Sequence, residues 1–228
     1  MKTIVTTETI RTIAEAQHIK MYDCFTGFKW IANVMRENEG KARYLGGGEE
    51  SYGFLAEDFV RDKDSVSAIS LMAEIAAWAK DKGLNMTDML IDIYMKYGFS
   101  REKGISLVRK GKSGAEEIIA LMKQFRENPP KEIAGSPVVT VKDFQSLVET
   151  NVATGETKKL DMPATSNVLQ YYTADRTKVS VRPSGTEPKI KFYIEVHDTL
   201  ASADEYKATE ARADEKINRI AKEFGITK

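Results

Sequence analysis

With 228 residues the chain has room for two modest domains or one large one. Its 34 basic and 34 acidic residues cancel, which excludes a global field toward nucleic acid or a membrane surface, so any anion site must be local. One cysteine, Cys24, excludes an intrachain disulfide and fits a reducing, cytoplasmic setting; no apolar run approaches the roughly 18 residues of a membrane helix, and "MKTIVTTETIRT" lacks the apolar core of a secretion signal.

In chain order, "KTIVTT" is short and β-branched and reads as a strand, followed by Ile10, Ile13 and Ala14 at helical spacing over residues 8–18. "IKMYDCF" (19–25) reads as a second strand, and "TGFKWIANVMREN" as a helix carrying Phe28, Ile31 and Met35. "ARYLGGG" reads as a third strand running into glycines. A helix is predicted over 65–81, where Ile69, Met72, Ile75, Ala76 and Ala79 form one apolar stripe, and another over 87–97. Strand–helix alternation of this kind predicts parallel βαβ units.

The pattern changes after Gly98. "SGAEEIIALMKQFRENPP" sets Ser113 and Glu116 at capping-box spacing and stops at a proline pair, so a helix is predicted there. Strand candidates follow in "SPVVTVKD", "NVLQYYTA", "KVSVR" and "KIKFYIEV", separated by turns such as "ATGET" and "ADRT". A last helix is predicted from Ser202, with Glu205 completing a capping box, to about Phe224. The predicted fold is α/β plus α+β: an α/β unit with a mixed sheet and flanking helices over 1–98, then a smaller α+β unit with an antiparallel sheet and helices over 99–228.

Three stretches carry candidate chemistry. "VRPSGTEPKIKFYIEV" interrupts two period-two strands with Arg182, Ser184, Gly185 and Thr186. A guanidinium pairs bidentately with phosphate, hydroxyls donate, and a glycine lets backbone N–H groups approach an oxyanion. An ordinary hairpin with a surface arginine is the alternative. "YLGGGEESYGF" places Glu49 and Ser51 two apart after a strand end, a carboxylate and a hydroxyl suited to vicinal sugar hydroxyls; the alternative is a solvated charged turn. Lys29 in "TGFKW" falls near a helix start after a strand end, where it could face the same cleft or simply solvent. "RDKD" (61–64) reads as a solvated helix start.

Other features carry less. "GKS" at 111–113 is no P-loop, because the glycine required five residues earlier is Ser106, and "GGG" at 46–48 is no dinucleotide fingerprint. His18 and His197 are too few for a metal cluster or a triad, and Cys24 in an apolar strand reads as core.

"GGGEESYGF", "TGFKW", "RDKDS" and "RPSGTEPKIKFYIEV", in that order and spacing, closely resemble the α-D-phosphohexomutases, the phosphoglucomutase and phosphomannomutase family. The likeness runs along the whole chain. Members have four domains around one cleft, and this chain resembles the last two; the resemblance leaves open that the third lacks its opening strand. One departure is Lys63, Asp64, Ser65 where the family usually reads "KDG".

The resemblance implies that Arg182, Ser184, Gly185 and Thr186 grip the substrate phosphate, that Glu49 and Ser51 read sugar hydroxyls, and that Lys29 is a cleft lysine near the substrate. It also implies an intramolecular phosphotransferase interconverting hexose 1-phosphate and hexose 6-phosphate. A phosphoserine donates to the sugar, hexose 1,6-bisphosphate is the intermediate and activator, and Mg2+ is held by an aspartate-rich loop of a domain absent here. No such serine loop and no D-x-D-x-D cluster occurs in the chain, so neither catalytic residues nor metal ligands are assigned. The expected partners are a hexose phosphate and the missing N-terminal domains of the same protein, with no nucleic acid and no membrane. The chain alone is expected to be inactive; the alternative is a stand-alone, non-catalytic sugar-phosphate-binding module.

Overall fold

The computed structural model describes residues 1–109, 111–185 and 187–227, with the backbone alone at Lys112. The chain divides into two compact units, Met1–Gly98 with Leu200–Asp204, and Phe99–Thr199 with Glu205–Lys228. The α/β-plus-α+β reading holds, with one correction. The second unit is the larger of the two, built on an eight-stranded sheet against a four-stranded one.

In the first unit the strands shrink to pairs of residues: β1 (Lys2–Thr3), β2 (Asp23–Cys24), β3 (Gly47–Gly48) and β4 (Phe54–Leu55). Their order is β2-β1-β3-β4, with β1 parallel to both neighbours and β4 antiparallel to β3. The predicted third strand is therefore made by two of its glycines rather than ended by them. Packing requires this, since a Cβ at Gly47 would lie 2.7 Å from the Tyr44 hydroxyl. The helix α1 (Thr9–Ala16) follows β1, and α2 (Phe28–Glu37) follows β2. Phe28, Ile31 and Met35 of α2 close a core with Cys24, Tyr44 and Leu55. Cys24 is core, as its apolar setting suggested, and burial pushes its thiol up to about 11.

Two further helices complete this unit, α3 (Ser65–Asp81) and α4 (Met86–Tyr97). The Asp64 carboxylate accepts from the Val66 and Ser67 amides and caps α3. Ser65 is thus the first helical residue, a position that needs no left-handed backbone, and serine replaces the usual glycine there without strain. Asn85 and Asp88 form a capping box at α4. The stripe on α3 does not form a core face: of its five residues only Ala79 is buried.

The second unit opens with β5 (Phe99–Val108), a strand that shows no alternation in sequence. Next comes α5 (Gly111–Glu127), which starts before Ser113; that serine lies inside the helix and cannot be its cap. Then follow β6 (Glu132–Ile133), β7 (Ser136–Asp143), β8 (Val148–Asn151), β9 (Thr157–Lys159), β10 (Leu169–Thr173), β11 (Lys178–Pro183) and β12 (Lys189–Asp198). A 3-10 turn at Ala203–Glu205 leads into α6 (Tyr206–Glu223), whose cap Glu205 makes no side-chain cap bond, so the capping box predicted from Ser202 does not form.

The sheet order is β5-β12-β11-β10-β7-β8-β9, every pairing antiparallel, with β6 paired to β7. Ile190, Phe192, Ile194 and Val196 of β12 are buried, and their alternation follows the strand's period of two. Phe192 and Tyr171 pack around Phe224, with ring centroids 6.0 and 6.4 Å away, and Phe125 lies 5.6 Å from Phe224. The alternate positions form a polar row. Lys178 and Glu195, register partners, pair at 2.8 Å with both side chains nearly inaccessible, and His197 Nε2 lies 3.3 Å from the same carboxylate. Burial alone would raise the Glu195 carboxyl; the His197 hydrogen bond and the Lys178 charge instead hold it down, at about 2.

Candidate functional site

In the first unit the hairpin between β3 and β4 carries "EESYG". It closes tightly, the Glu49 amide donating to the Gly53 carbonyl at 2.7 Å, with Tyr52 in the left-handed region at φ 50° and fully exposed at the tip. The Glu49 side chain turns back rather than outward. Its Oε1 accepts the Gly27 N–H at 2.7 Å, and Oε2 lies 3.7 Å from Lys63 Nζ. Gly27 is the N-cap of α2, so the carboxylate sits at the positive end of that helix. A Cβ at Gly53 would lie 2.8 Å from Glu49 Oε2, so a side chain there would displace the carboxylate from its present position.

The structure thus joins two of the sequence motifs, the acidic loop and "TGFKW", through one hydrogen bond. Gly27 takes one carboxylate lone pair, and Lys63 approaches the other oxygen. Glu49 opens onto a cleft of about 390 Å³ whose polar side is Glu49, Lys63 and Asp64 and whose apolar side is Phe54, Ile69 and Met72. Ser51 and Lys29 do not line this cleft. Ser51 is exposed in the loop, and Lys29, exposed on the first turn of α2, lies 5.3 Å from the Trp30 ring centroid. Glu50 accepts from the Thr3 hydroxyl at 3.0 Å and ties the loop to β1.

Sequence reasoning missed Lys63, which it read as part of a solvated helix start. The available signal was its place beside an N-cap aspartate, but its approach to Glu49 depends on the hairpin.

In the second unit the segment between β11 and β12 is a hairpin loop whose last register pairs are Arg182–Lys191 and Pro183–Ile190. Its base is pinned by the Ser184 amide donating to the Lys189 carbonyl at 2.8 Å and the Arg109 amide donating to the Pro188 carbonyl at 2.9 Å. Lys189 pairs with Glu187 in a short ion pair; that hydrogen bond, and the charge of Lys191, hold the exposed Glu187 carboxyl below its usual range.

The Ser184 amide is therefore spent on closing the hairpin rather than offered to an anion. Gly185 is exposed, its φ lies outside the left-handed region, and among the described residues an added Cβ would meet no atom within 4 Å. Thr186 lies outside the described residues. Arg182 is half-buried, directly across the ladder from Lys191, a cation the sequence reading passed over. Like charges facing each other on adjacent strands are unfavourable without a counter-charge, so the loop base is a local positive site in a neutral chain.

Among the described residues no group of three or more His, Cys, Asp or Glu is placed to hold a metal ion, and no helix is long and apolar enough to cross a membrane.

Comparison with known proteins adds to this geometry. Residues 1–97 match the family domain described as phosphoglucomutase/phosphomannomutase, alpha/beta/alpha domain III, and residues 121–213 match the C-terminal domain of the same family. The chain is 34% identical to the phosphoglucomutase of Staphylococcus haemolyticus over 86% of its own length and 36% of the relative's. It is 35% identical to that of Staphylococcus epidermidis over 85% of its length and 35% of the relative's. The chain thus spans about a third of the curated relatives it matches. Among solved structures, the open form of parafusin (phosphoglucomutase) from Paramecium superposes with a TM-score of 0.57 at 15% identity, over 96% of this chain and 38% of that one, a likeness of fold. The chain belongs to the phosphoglucomutase/phosphomannomutase family, of which it carries the third and C-terminal domains.

Proposed function

We propose that the chain is the substrate-recognition half of a phosphohexomutase, an enzyme interconverting hexose 1-phosphate and hexose 6-phosphate through the 1,6-bisphosphate. The observation that carries this reading is the β11–β12 hairpin. Its base is pinned on both sides, it carries Arg182 opposite Lys191, and among the described residues nothing lies within 4 Å of a Cβ built at Gly185. Arg182, Ser184, Gly185 and Thr186 hold the phosphate, the arginine supplying a bidentate charge-assisted contact. Glu49 accepts sugar hydroxyls with the carboxylate capacity that Gly27 leaves, and Ser51 and Lys29, exposed outside the cleft, would have to reach the sugar from beyond its lining.

Mutase chemistry demands recognition of this kind. The bisphosphate must be held in two orientations, so the protein needs one clamp for whichever phosphate is not reacting and one reader for the hydroxyls. The phosphoserine and the magnesium that the chemistry requires would come from polypeptide beyond this sequence. Magnesium finds no ligand cluster among the described residues. On this reading the chain by itself is inactive and acts together with the remaining domains of a cytoplasmic enzyme.

The test is calorimetric titration of the chain with glucose 6-phosphate and mannose 6-phosphate. Arg182→Ala should weaken binding by about 1.5–3 kcal/mol, the scale of a hydrogen bond to a charged group. Unchanged affinity would reject the clamp. Purified chain with magnesium and glucose 1,6-bisphosphate should show no turnover; turnover above background would reject the assignment as a recognition half.

A further inference from the structure

Phe54 meets different surroundings on its two sides. It is the register partner of Gly48 across the β3–β4 pair. A Cβ at Gly48 would lie 3.3 Å from Phe54 Cδ2, and one at Gly46 would lie 3.8 Å from Cζ. Residues two apart share one face of an extended chain, so the ring lies along both glycines, where side chains would otherwise stand. Covering strand glycines with a cross-strand aromatic ring is a packing role, and it accounts for one side of Phe54. The other side is open. Phe54 is 42% exposed, and it lines the cleft of about 390 Å³ together with Glu49 and Lys63.

An exposed aromatic residue by itself identifies no ligand. Here the ring shares a hairpin with a carboxylate already held in place. Glu49 Oε1 accepts the Gly27 N–H, and the Glu49 amide donates to the carbonyl of Gly53, the residue before Phe54. Carboxylate and ring are therefore set in one frame before any ligand arrives, which lowers the ordering cost of binding.

A pyranose matches that pairing. It carries hydroxyls around its rim and C–H groups on its faces. The carboxylate accepts rim hydroxyls, while the negative face of an aromatic ring attracts the C–H groups and removes them from water. A phosphate offers no such face. At the low end of the roughly 300–1,000 Å³ of ligand pockets, the cleft suits one sugar ring rather than a chain of them. Resting on the recognition-half reading, we propose that Phe54 is a specificity-determining residue, the platform on which the closed pyranose ring of the hexose phosphate lies while Glu49 reads its hydroxyls.

The experiment compares glucose 6-phosphate with glucitol 6-phosphate, the open-chain polyol phosphate, by calorimetric titration of the chain. Wild type should bind the closed ring more tightly. Phe54→Leu should weaken glucose 6-phosphate binding about fivefold to tenfold, the scale of an aromatic contact, and leave glucitol 6-phosphate and inorganic phosphate unchanged. Phe54→Trp restores a platform and should keep the preference for the ring. Its emission should also respond to glucose 6-phosphate beyond any change that Trp30 and Trp78 give in wild type, and not to inorganic phosphate. Loosening of the hairpin alone would not produce that selective response, and the tryptophan variant decides the matter if Phe54→Leu melts early. Undiminished ring preference in Phe54→Leu, equal losses for the ring and open-chain ligands, or a silent Phe54→Trp that still binds glucose 6-phosphate would each overturn the proposal. Binding that depends on Arg182 but is indifferent to Phe54 removes the platform alone; absence of any glucose 6-phosphate binding by wild type removes the recognition reading with it.

Discussion

The Glu49 carboxylate accepts the Gly27 N–H at 2.7 Å, joining a loop after β3 to the N-terminus of α2 across 22 residues of sequence. The bond gives the carboxylate one fixed orientation before any ligand arrives, and pre-orientation reduces the ordering cost of binding. Replacing Glu49 by Gln retains an acceptor for Gly27, so urea-unfolding stability should change by less than about 0.5 kcal/mol, whereas Ala should cost about 1 kcal/mol. Titrations of Glu49→Gln should show weakened glucose phosphate binding with inorganic phosphate binding unchanged. Equal effects on both ligands would remove Glu49 as a hydroxyl reader.

Gly185 separates ligand effects from folding effects. Its backbone is open to any residue and among the described residues no atom lies within 4 Å of a built Cβ, so Gly185→Ala should leave the melting temperature unchanged or slightly higher. A bound oxyanion, however, would meet the new methyl group. Phosphosugar affinity should fall roughly tenfold, about 1.4 kcal/mol. A stable variant with full affinity would show that the anion does not sit against this residue.

Acid should loosen the second unit through Glu195. Its folded pKa is depressed from 4.5 to about 2, so its contribution to stability is complete above about pH 4.5 and is lost as the pH falls from there toward 2. Glu195→Gln leaves Lys178 buried without its counter-charge and should cost about 3–5 kcal/mol at neutral pH. The variant should also lose part of the wild type's decline in stability between pH 4.5 and 2, measured by urea unfolding at each pH. A decline of wild-type size would assign it to other carboxylates.

Phe192→Ala would empty the centre of the aromatic cluster formed with Phe125 and Phe224, each 6.0 Å away by ring centroid. A buried phenylalanine truncated to alanine costs about 3–5 kcal/mol. Denaturant unfolding of the whole chain should register the loss, and a cost below about 1 kcal/mol would mean the cluster is not a packed core.

Where a strand has one buried face, its residues announce it. β7 and β12 were legible because Val138, Ile190, Phe192 and Ile194 alternate with polar neighbours, and the loop between β11 and β12 stood out because it breaks that alternation. α2 and α4 were legible from helical spacing. β5 was not: Arg101, Glu102, Lys103 and Gly104 hold no period, and the segment is a strand only because it pairs with ten residues of β12. In the first unit "KTIVTT" and "IKMYDCF" announced β1 and β2, but that each pairs over only two residues was not legible.

The residue types of the candidate site were readable from the chain alone, since the need for an arginine, a hydroxyl and a glycine in one turn is chemical and local. Their commitments were not. That Ser184 spends its amide on Lys189, that Glu49 turns inward to Gly27 and approaches Lys63, and that Lys191 faces Arg182 are decided by hairpin register and by contacts between distant segments. The same holds for α3, whose apolar stripe is written in the sequence while its exposure is not. Periodicity identifies which face a helix would bury; only the assembled chain shows whether anything is there to bury it.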